Sequence, residues 1–169
     1  MKLKQPKVFK KYFNSFPDSR GFLTALDSEQ LEKKLQVKFT YQLVSLSKKK
    51  STFRGFHYQK KPNAQNKIVI VLAGKILDFA VQIDSPLSSR VISFELSAGD
   101  VIAIPHDYAH GFLSLTDDVI IQYLLDNKFS AKSYSGFNAN SFIKERFPNR
   151  KITISKKDKI LKDKILIDD

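Results

Sequence analysis

The chain is dominated by short apolar runs, each closed by turn residues before it is long enough to make a helix of ordinary length. Ile68 to Leu72 and Ile76 to Ile83 are rich in β-branched side chains, and Ala73-Gly74-Lys75 between them reads as a hairpin turn. Val91 to Leu96 sets Ile92, Phe94 and Leu96 against Ser93 and Glu95, the period of a half-buried strand. Ala98-Gly99-Asp100 then turns the chain into Val101 to Ile104, and Val119 to Leu125 follows Thr116-Asp117-Asp118. Such punctuation predicts an antiparallel sandwich or barrel. Helical signal is confined to Ser28 to Leu35, with Asp27 or Ser28 as N-cap, and to a short stretch in the terminal segment.

A length of 169 residues fits one domain, 1–169, with a lysine-rich tail from about residue 150. The absence of cysteine excludes disulfides and thiolate metal sites. No apolar run approaches a membrane span, and the start Met-Lys-Leu-Lys-Gln-Pro-Lys has no long apolar region, so the expectation is a cytoplasmic protein with no membrane partner. Lysine and arginine number 29 against 17 acidic residues, a net charge of +12. Much of the excess falls in Lys48-Lys49-Lys50 and in the tail from Arg150 to Lys164, runs that are ordinarily solvated. No nucleic-acid recognition pattern accompanies it, so no nucleic-acid partner is expected, and steering of a small anionic substrate is compatible with it.

Side chains two apart on a strand share a face. His57 and Gln59 therefore face together, as do Asp78, Ala80 and Gln82, and as do Val119, Ile121 and Tyr123. His57 is one of only three histidines, and Lys67 opens the most apolar stretch ten residues later. A base, a cation and a phenol gathered in a barrel can move protons on carbon without a cofactor. Each also has an ordinary reading. Strand tyrosines pack, Lys67 can simply end a loop, and Asp158 can be a solvated tail carboxylate.

Gly99, Pro105 and His110 share the spacing Gly-x5-Pro-x4-His with the second motif of the cupins, although Asp107 stands where that motif has glycine. The first cupin motif supplies His-x-His and a glutamate to a metal. Here the sequence is His57-Tyr58-Gln59, so no metal is expected. Several segments occur in one order: Asp18-Ser19-Arg20-Gly21, Arg54-Gly55-Phe56-His57-Tyr58-Gln59, Lys67-Ile68-Val69, Gly74 to Val81, Ile104-Pro105, Ala109-His110-Gly111-Phe112, Tyr123 and Ile154-Ser155-Lys156-Lys157-Asp158. From about residue 16 to 160 this set resembles the dTDP-4-dehydrorhamnose 3,5-epimerase family.

The resemblance implies an all-β cupin double-stranded β-helix, or jelly roll, with short peripheral helices and homodimeric assembly. It implies cofactor-independent epimerisation at C3, or at C3 and C5, of a nucleotide-linked 4-keto-6-deoxy sugar, with dTDP the favoured nucleotide. By resemblance His57 is the base, Tyr123 the acid on the opposite sugar face, Lys67 the cation near the keto oxygen and Asp158 the partner of the base. Arg20, Arg54, Gln42, Asp78, His110 and Lys157 match substrate-binding or active-site positions. The chain also departs from the pattern. Ala25 stands at the end of a segment that normally closes on a substrate-binding glutamate, and Tyr134 lies close to the place of another glutamate. Two alternatives stay open at this point, a sugar-nucleotide 3,4-ketoisomerase and a non-catalytic sugar-nucleotide-binding cupin.

Overall fold

Two sheets packed face to face bury the apolar runs, and a helix on each outer flank buries the backs of those runs. The computed structural model describes residues 3–84, 88–163 and 165–168; Lys164, the end of the lysine-rich tail, lies outside them. Strand β1 (Lys7–Phe9) leads to a small hairpin of β2 (Ser15–Asp18) and β3 (Gly21–Thr24), then to helix α1 (Ser28–Leu35). The body follows as β4 (Tyr41–Ser47), β5 (Thr52–Gln59), β6 (Lys67–Ala73), β7 (Lys75–Gln82), β8 (Ser88–Ser97), β9 (Val101–Ile104), β10 (Tyr108–Ser114), β11 (Val119–Leu125) and β12 (Tyr134–Asn138). The chain closes through α2 (Asn140–Arg146), β13 (Thr153–Ile154), α3 (Lys156–Lys159), β14 (Lys162–Asp163) and β15 (Ile165–Asp168).

The smaller sheet runs β1-β9-β6-β11-β4 and the larger β14-β12-β5-β10-β7-β8-β15, with β13 added beside β5. The body strands pair antiparallel, with the crossed order of a jelly roll. Among the described residues no helix is long and apolar enough to cross a membrane.

Parity sorts the side chains into three layers. Val69, Val71, Ile76, Ala80, Ile102, Ile104, Phe112, Val119 and Ile121 meet between the sheets. Ile68, Ile70, Val101, Ala103 and Leu124 point the other way, onto Leu31 and Leu35 of α1. Phe53, Phe56, Phe79 and Val81 back the larger sheet against Phe142 and Ile143 of α2. Strands β6 and β9 read as unbroken apolar runs because both of their faces are covered. Helix α1 begins where expected. The Asp27 carboxylate accepts from the backbone N–H groups of Glu29 and Gln30, at 3.1 and 3.3 Å.

Strand β5 breaks the alternation once. Against β10, His57 pairs with His110 and Arg54 with Phe112, so three steps on β5 span two on its neighbour. One extra residue is therefore held in β5, a β-bulge. Gly55 takes the bulge at φ +136°, and a Cβ there would collide with the Gly111 backbone and stand 2.9 Å from the His110 carbonyl oxygen. The bulge turns Arg54 and His57, an odd number of residues apart, into one cavity. Gly55→Ala combines a disfavoured backbone conformation with a backbone clash. It is expected to cost about 3 kcal/mol or more, measured by urea denaturation; stability equal to wild type would contradict this account of the bulge.

Candidate active site

At one end of the space between the sheets the apolar filling gives way to polar groups around a cavity of about 240 Å³. His57 (β5) and His110 (β10) come from the larger sheet, whereas Lys67 (β6) and Tyr123 (β11) come from the smaller. An imidazole and a phenol thus line one cavity from opposite walls.

His57 Nε2 lies 2.7 Å from Asp158 Oδ1. Asp158 is presented by α3, where the Ser155 hydroxyl caps the first turn by accepting from the Asp158 N–H at 3.0 Å. Burial pushes the Asp158 carboxyl up, but the His57 hydrogen bond and charge, with Ser155 and the Gly55 N–H, bring it below its ordinary value. The carboxylate is ionised at neutral pH and fixes the ring. In the neutral imidazole Nε2–H donates to Asp158, and Nδ1 keeps the lone pair that a base requires.

Lys67 is 8% exposed and its ammonium donates to the His57 carbonyl oxygen at 2.8 Å. Burial lowers its pKa to about 8, opposed by the charge of Asp78. Asp78, wholly buried on β7, meets His110 Nε2 at 2.7 Å through Oδ2. Its Oδ1 has no hydrogen-bond partner among the described residues. Burial raises the Asp78 carboxyl, against the pull of His110 and Lys67. Tyr123 packs edge-on to His110, with ring centroids 6.1 Å apart, and burial pushes its phenol up to about 12, so it stays protonated. Arg54 reaches from the larger sheet to β4, donating to Ser47 Oγ at 3.0 Å and to the Leu46 carbonyl at 2.9 Å.

His57, Lys67, Tyr123, Asp158, Arg54, Asp78 and His110 therefore converge, and Lys157 stands beside them with its ammonium 3.9 Å from the centre of the Tyr134 ring. Two expected residues do not converge. Gln42 is corrected: Leu43 is the register partner of Tyr123 on β4, so Leu43 faces the cavity, while Gln42 turns to the opposite face and accepts from Gln122 at 3.0 Å. Arg20 sits at the β2–β3 turn, largely exposed and paired with Asp18 at 2.6 Å, away from this chain's cavity. Sequence reasoning passed over Leu43, Phe129 and the part played by Tyr134, all of which line the cavity. The register of β4 against Tyr123 would have pointed to Leu43; nothing local marks Phe129. No group of three or more His, Asp or Glu side chains among the described residues stands where it could hold a metal ion.

The model of the dTDP-4-dehydrorhamnose 3,5-epimerase family matches residues 2–164. The chain belongs to this family. It is 34% identical over 127 residues to the dTDP-4-dehydrorhamnose 3,5-epimerase of Sinorhizobium fredii, covering 72% of this chain and 65% of that relative, just under two thirds of its length. The crystal structure of the Bacillus anthracis dTDP-4-dehydrorhamnose 3,5-epimerase, with TDP and PPi bound, is 33% identical and superposes with a TM-score of 0.79 over 94% of this chain and 93% of that one. A Legionella pneumophila dTDP-6-deoxy-D-glucose-3,5-epimerase, in complex with dTDP-4-keto-L-rhamnose, is 25% identical with a TM-score of 0.76 over 96% and 89%. The epimerase-family fold thus carries the cavity described above.

Burial of Lys67 sets a pH test. Its folded pKa, about 8, lies below the ordinary 10.5 of the unfolded chain. Between those values the unfolded state binds more protons, so wild-type stability gains with rising pH through that window. Lys67→Met lacks this gain. The stability of wild type relative to Lys67→Met is expected to rise from pH 7 to pH 10 in paired denaturation curves, and a constant difference would contradict it.

Proposed function

We propose that this protein epimerises C3, or C3 and C5, of a nucleotide-linked 4-keto-6-deoxy sugar, dTDP-linked by preference, with no cofactor. The observation that carries this reading is the placement of His57 and Tyr123 on opposite walls of one cavity, with the buried Lys67 cation beside the base. Inversion at a carbon next to a ketone by deprotonation on one face and reprotonation on the other uses that arrangement. The His57 imidazole takes the C3 proton, and the C–H electron pair moves into an enolate whose charge grows on O4. Lys67 stabilises that oxyanion, a contribution of roughly 3–4 kcal/mol for a fixed donor. Tyr123 returns a proton to the other face of the carbon, and the resulting phenolate and imidazolium exchange with solvent. The product is an isomer and no electrons are lost.

The nucleotide half rests on cations and on relatives. Arg54 stands at the cavity wall, and the chain carries a net charge of +12, suited to a diphosphate. The Bacillus relative holds TDP and PPi, and the Legionella relative holds a dTDP-linked keto sugar. We assign the same ligand class here, with Asp78 and His110 setting the cavity wall and Lys157 at its side. A second copy of the chain is the proposed protein partner, because Phe16, Phe22 and Leu23 stand exposed on the β2–β3 hairpin and Leu43, Val44 and Leu46 on the edge strand β4. That hairpin also carries Arg20, which a homodimer can bring to a neighbouring site.

Heavy water separates the two proton steps. In wild type, deuterium enters C3 of the epimerised product. His57→Ala is expected to lower exchange at C3 by at least about 10³-fold, with the protein still folded. Tyr123→Phe is expected to keep washing deuterium into recovered substrate while forming little epimer, because the base still works and the opposite-face donor is gone. Exchange at the wild-type rate in His57→Ala would end the base assignment. NMR of the product distinguishes an epimer from the carbonyl-shifted sugar of a ketoisomerase.

A further inference from the structure

The Ser45 hydroxyl oxygen is buried, yet it makes no hydrogen bond with any described group. A buried polar atom without a partner costs free energy, so its retention calls for a reason. Ser45 lies on β4 between Leu43 and Ser47, and side chains two apart share a face. Leu43 lines the cavity, and Ser47 accepts from Arg54, another lining residue, at 3.0 Å. Ser45 therefore turns to the same side. Its register partner on β11 is Ile121, which puts Tyr123 one diagonal step away, a separation that an aromatic side chain spans. The hydroxyl stands near enough to the phenol to pull its pKa down, against the effect of burial.

We propose that Ser45 is a positioning residue for the acid: its uncommitted hydroxyl donates a hydrogen bond to the Tyr123 oxygen as that oxygen gives up its proton. The inference rests on the reading of Tyr123 as the opposite-face donor. In that step the phenol O–H bond breaks, the enolate electron pair forms the new C3–H bond, and the phenol oxygen is left negative. Ser45 keeps its own proton and turns it toward that charge. Hydrogen bonds to charged oxygens are stronger than those between neutral groups. A donor without a partner at rest, and with a charged one in the transition state, lowers the barrier without tightening substrate binding.

Tyr123 needs such a donor. Burial and the negative charge of Asp78 both oppose a phenolate there. The other polar groups around the phenol are already engaged. From β10, His110 meets Asp78, and from β6, Lys67 donates to the His57 carbonyl. Arg54 favours the phenolate through its charge, while its Nε and one Nη are committed to Ser47 and the Leu46 carbonyl. The Ser45 hydroxyl has no such commitment.

The test uses the full chain and dTDP-4-keto-6-deoxyglucose in heavy water, and compares epimer formation with deuterium entry at C3 of recovered substrate. Deuterium entry needs only the base, whereas the epimer needs the acid as well. Ser45→Ala is expected to lower epimer formation about tenfold and to leave deuterium entry within about twofold of wild type, so that the ratio of the two changes. Ser45→Thr keeps a hydroxyl on a side chain suited to a strand, and is expected to restore the wild-type ratio. An unchanged ratio in Ser45→Ala, whether both rates hold or both fall together, would reduce Ser45 to packing and overturn the proposal. A folded Ser45→Thr variant with the alanine ratio would overturn it too, because the hydroxyl would then carry no effect. Should Ser45→Thr fail to fold, the ratio in Ser45→Ala alone decides, a changed ratio supporting the proposal and an unchanged one refuting it. If wild type neither forms epimer nor exchanges the C3 proton, the epimerase reading falls first, a result no change of ratio can mimic.

Discussion

A carboxylate with no access to water must be neutralised by its neighbours, and Asp78 imposes that requirement on one end of the jelly roll. It is fully buried between sheets that are otherwise filled with valine, isoleucine and phenylalanine. His110 meets it at 2.7 Å and the Lys67 charge supports it from the opposite sheet. Burial of such a set is costly unless its members pair, and pairing fixes each side chain in one place. Lys67 therefore points into the cavity, its ammonium on the carbonyl of the residue read as the base. The polar end of the barrel is a rigid charge arrangement before any substrate arrives, which is what stabilisation of a developing oxyanion demands.

The second constraint is backbone geometry in β5. Had that strand alternated without interruption, Arg54 and His57 would stand on opposite faces. The extra residue at Gly55, accepted only because no Cβ is there, delivers both to the cavity. The same strand is held at its outer side by Phe53 and Phe56, packed against Phe79 and one another. It is held at its end by Gln59, whose amide donates to the carbonyls of Asn63 and Lys128 and accepts from the Ser130 N–H. The loops around the cavity mouth and the histidine at its wall thus share one support.

Much of this was legible in the residues. The apolar runs of β6, β7, β9 and β11 and their turns emerged close to their observed limits, because apolar period and turn chemistry are local properties. Strand parity correctly joined His57 with Gln59 and placed Tyr123 with Val119 and Ile121. Gln42, reached through likeness to the family and not through parity, lies off the cavity. Strand β4 is a sheet edge with exposed apolar residues among its polar ones, so its sequence shows no single buried face and only its register against β11 settles which residues point inward. The bulge at Gly55 was passed over, although a glycine inside a strand is a signal for an extra residue or a close backbone approach. Asp158 was reached through the likeness of its tail segment to the family rather than through any periodic pattern. Its burial depends on a capped single turn, α3, packing over β5.

The proposed chemistry depends on where a sugar ring would sit. A crystal structure of the wild-type protein with a dTDP-linked 4-keto-6-deoxy sugar or its epimer tests that directly. The expected complex has C3 of the sugar between the two rings, with His57 Nδ1 within about 3–3.5 Å of C3 on one face and the Tyr123 hydroxyl on the other, and O4 directed to Lys67. A sugar bound with both rings on the same face of C3, or bound outside the space between the two sheets, would contradict it.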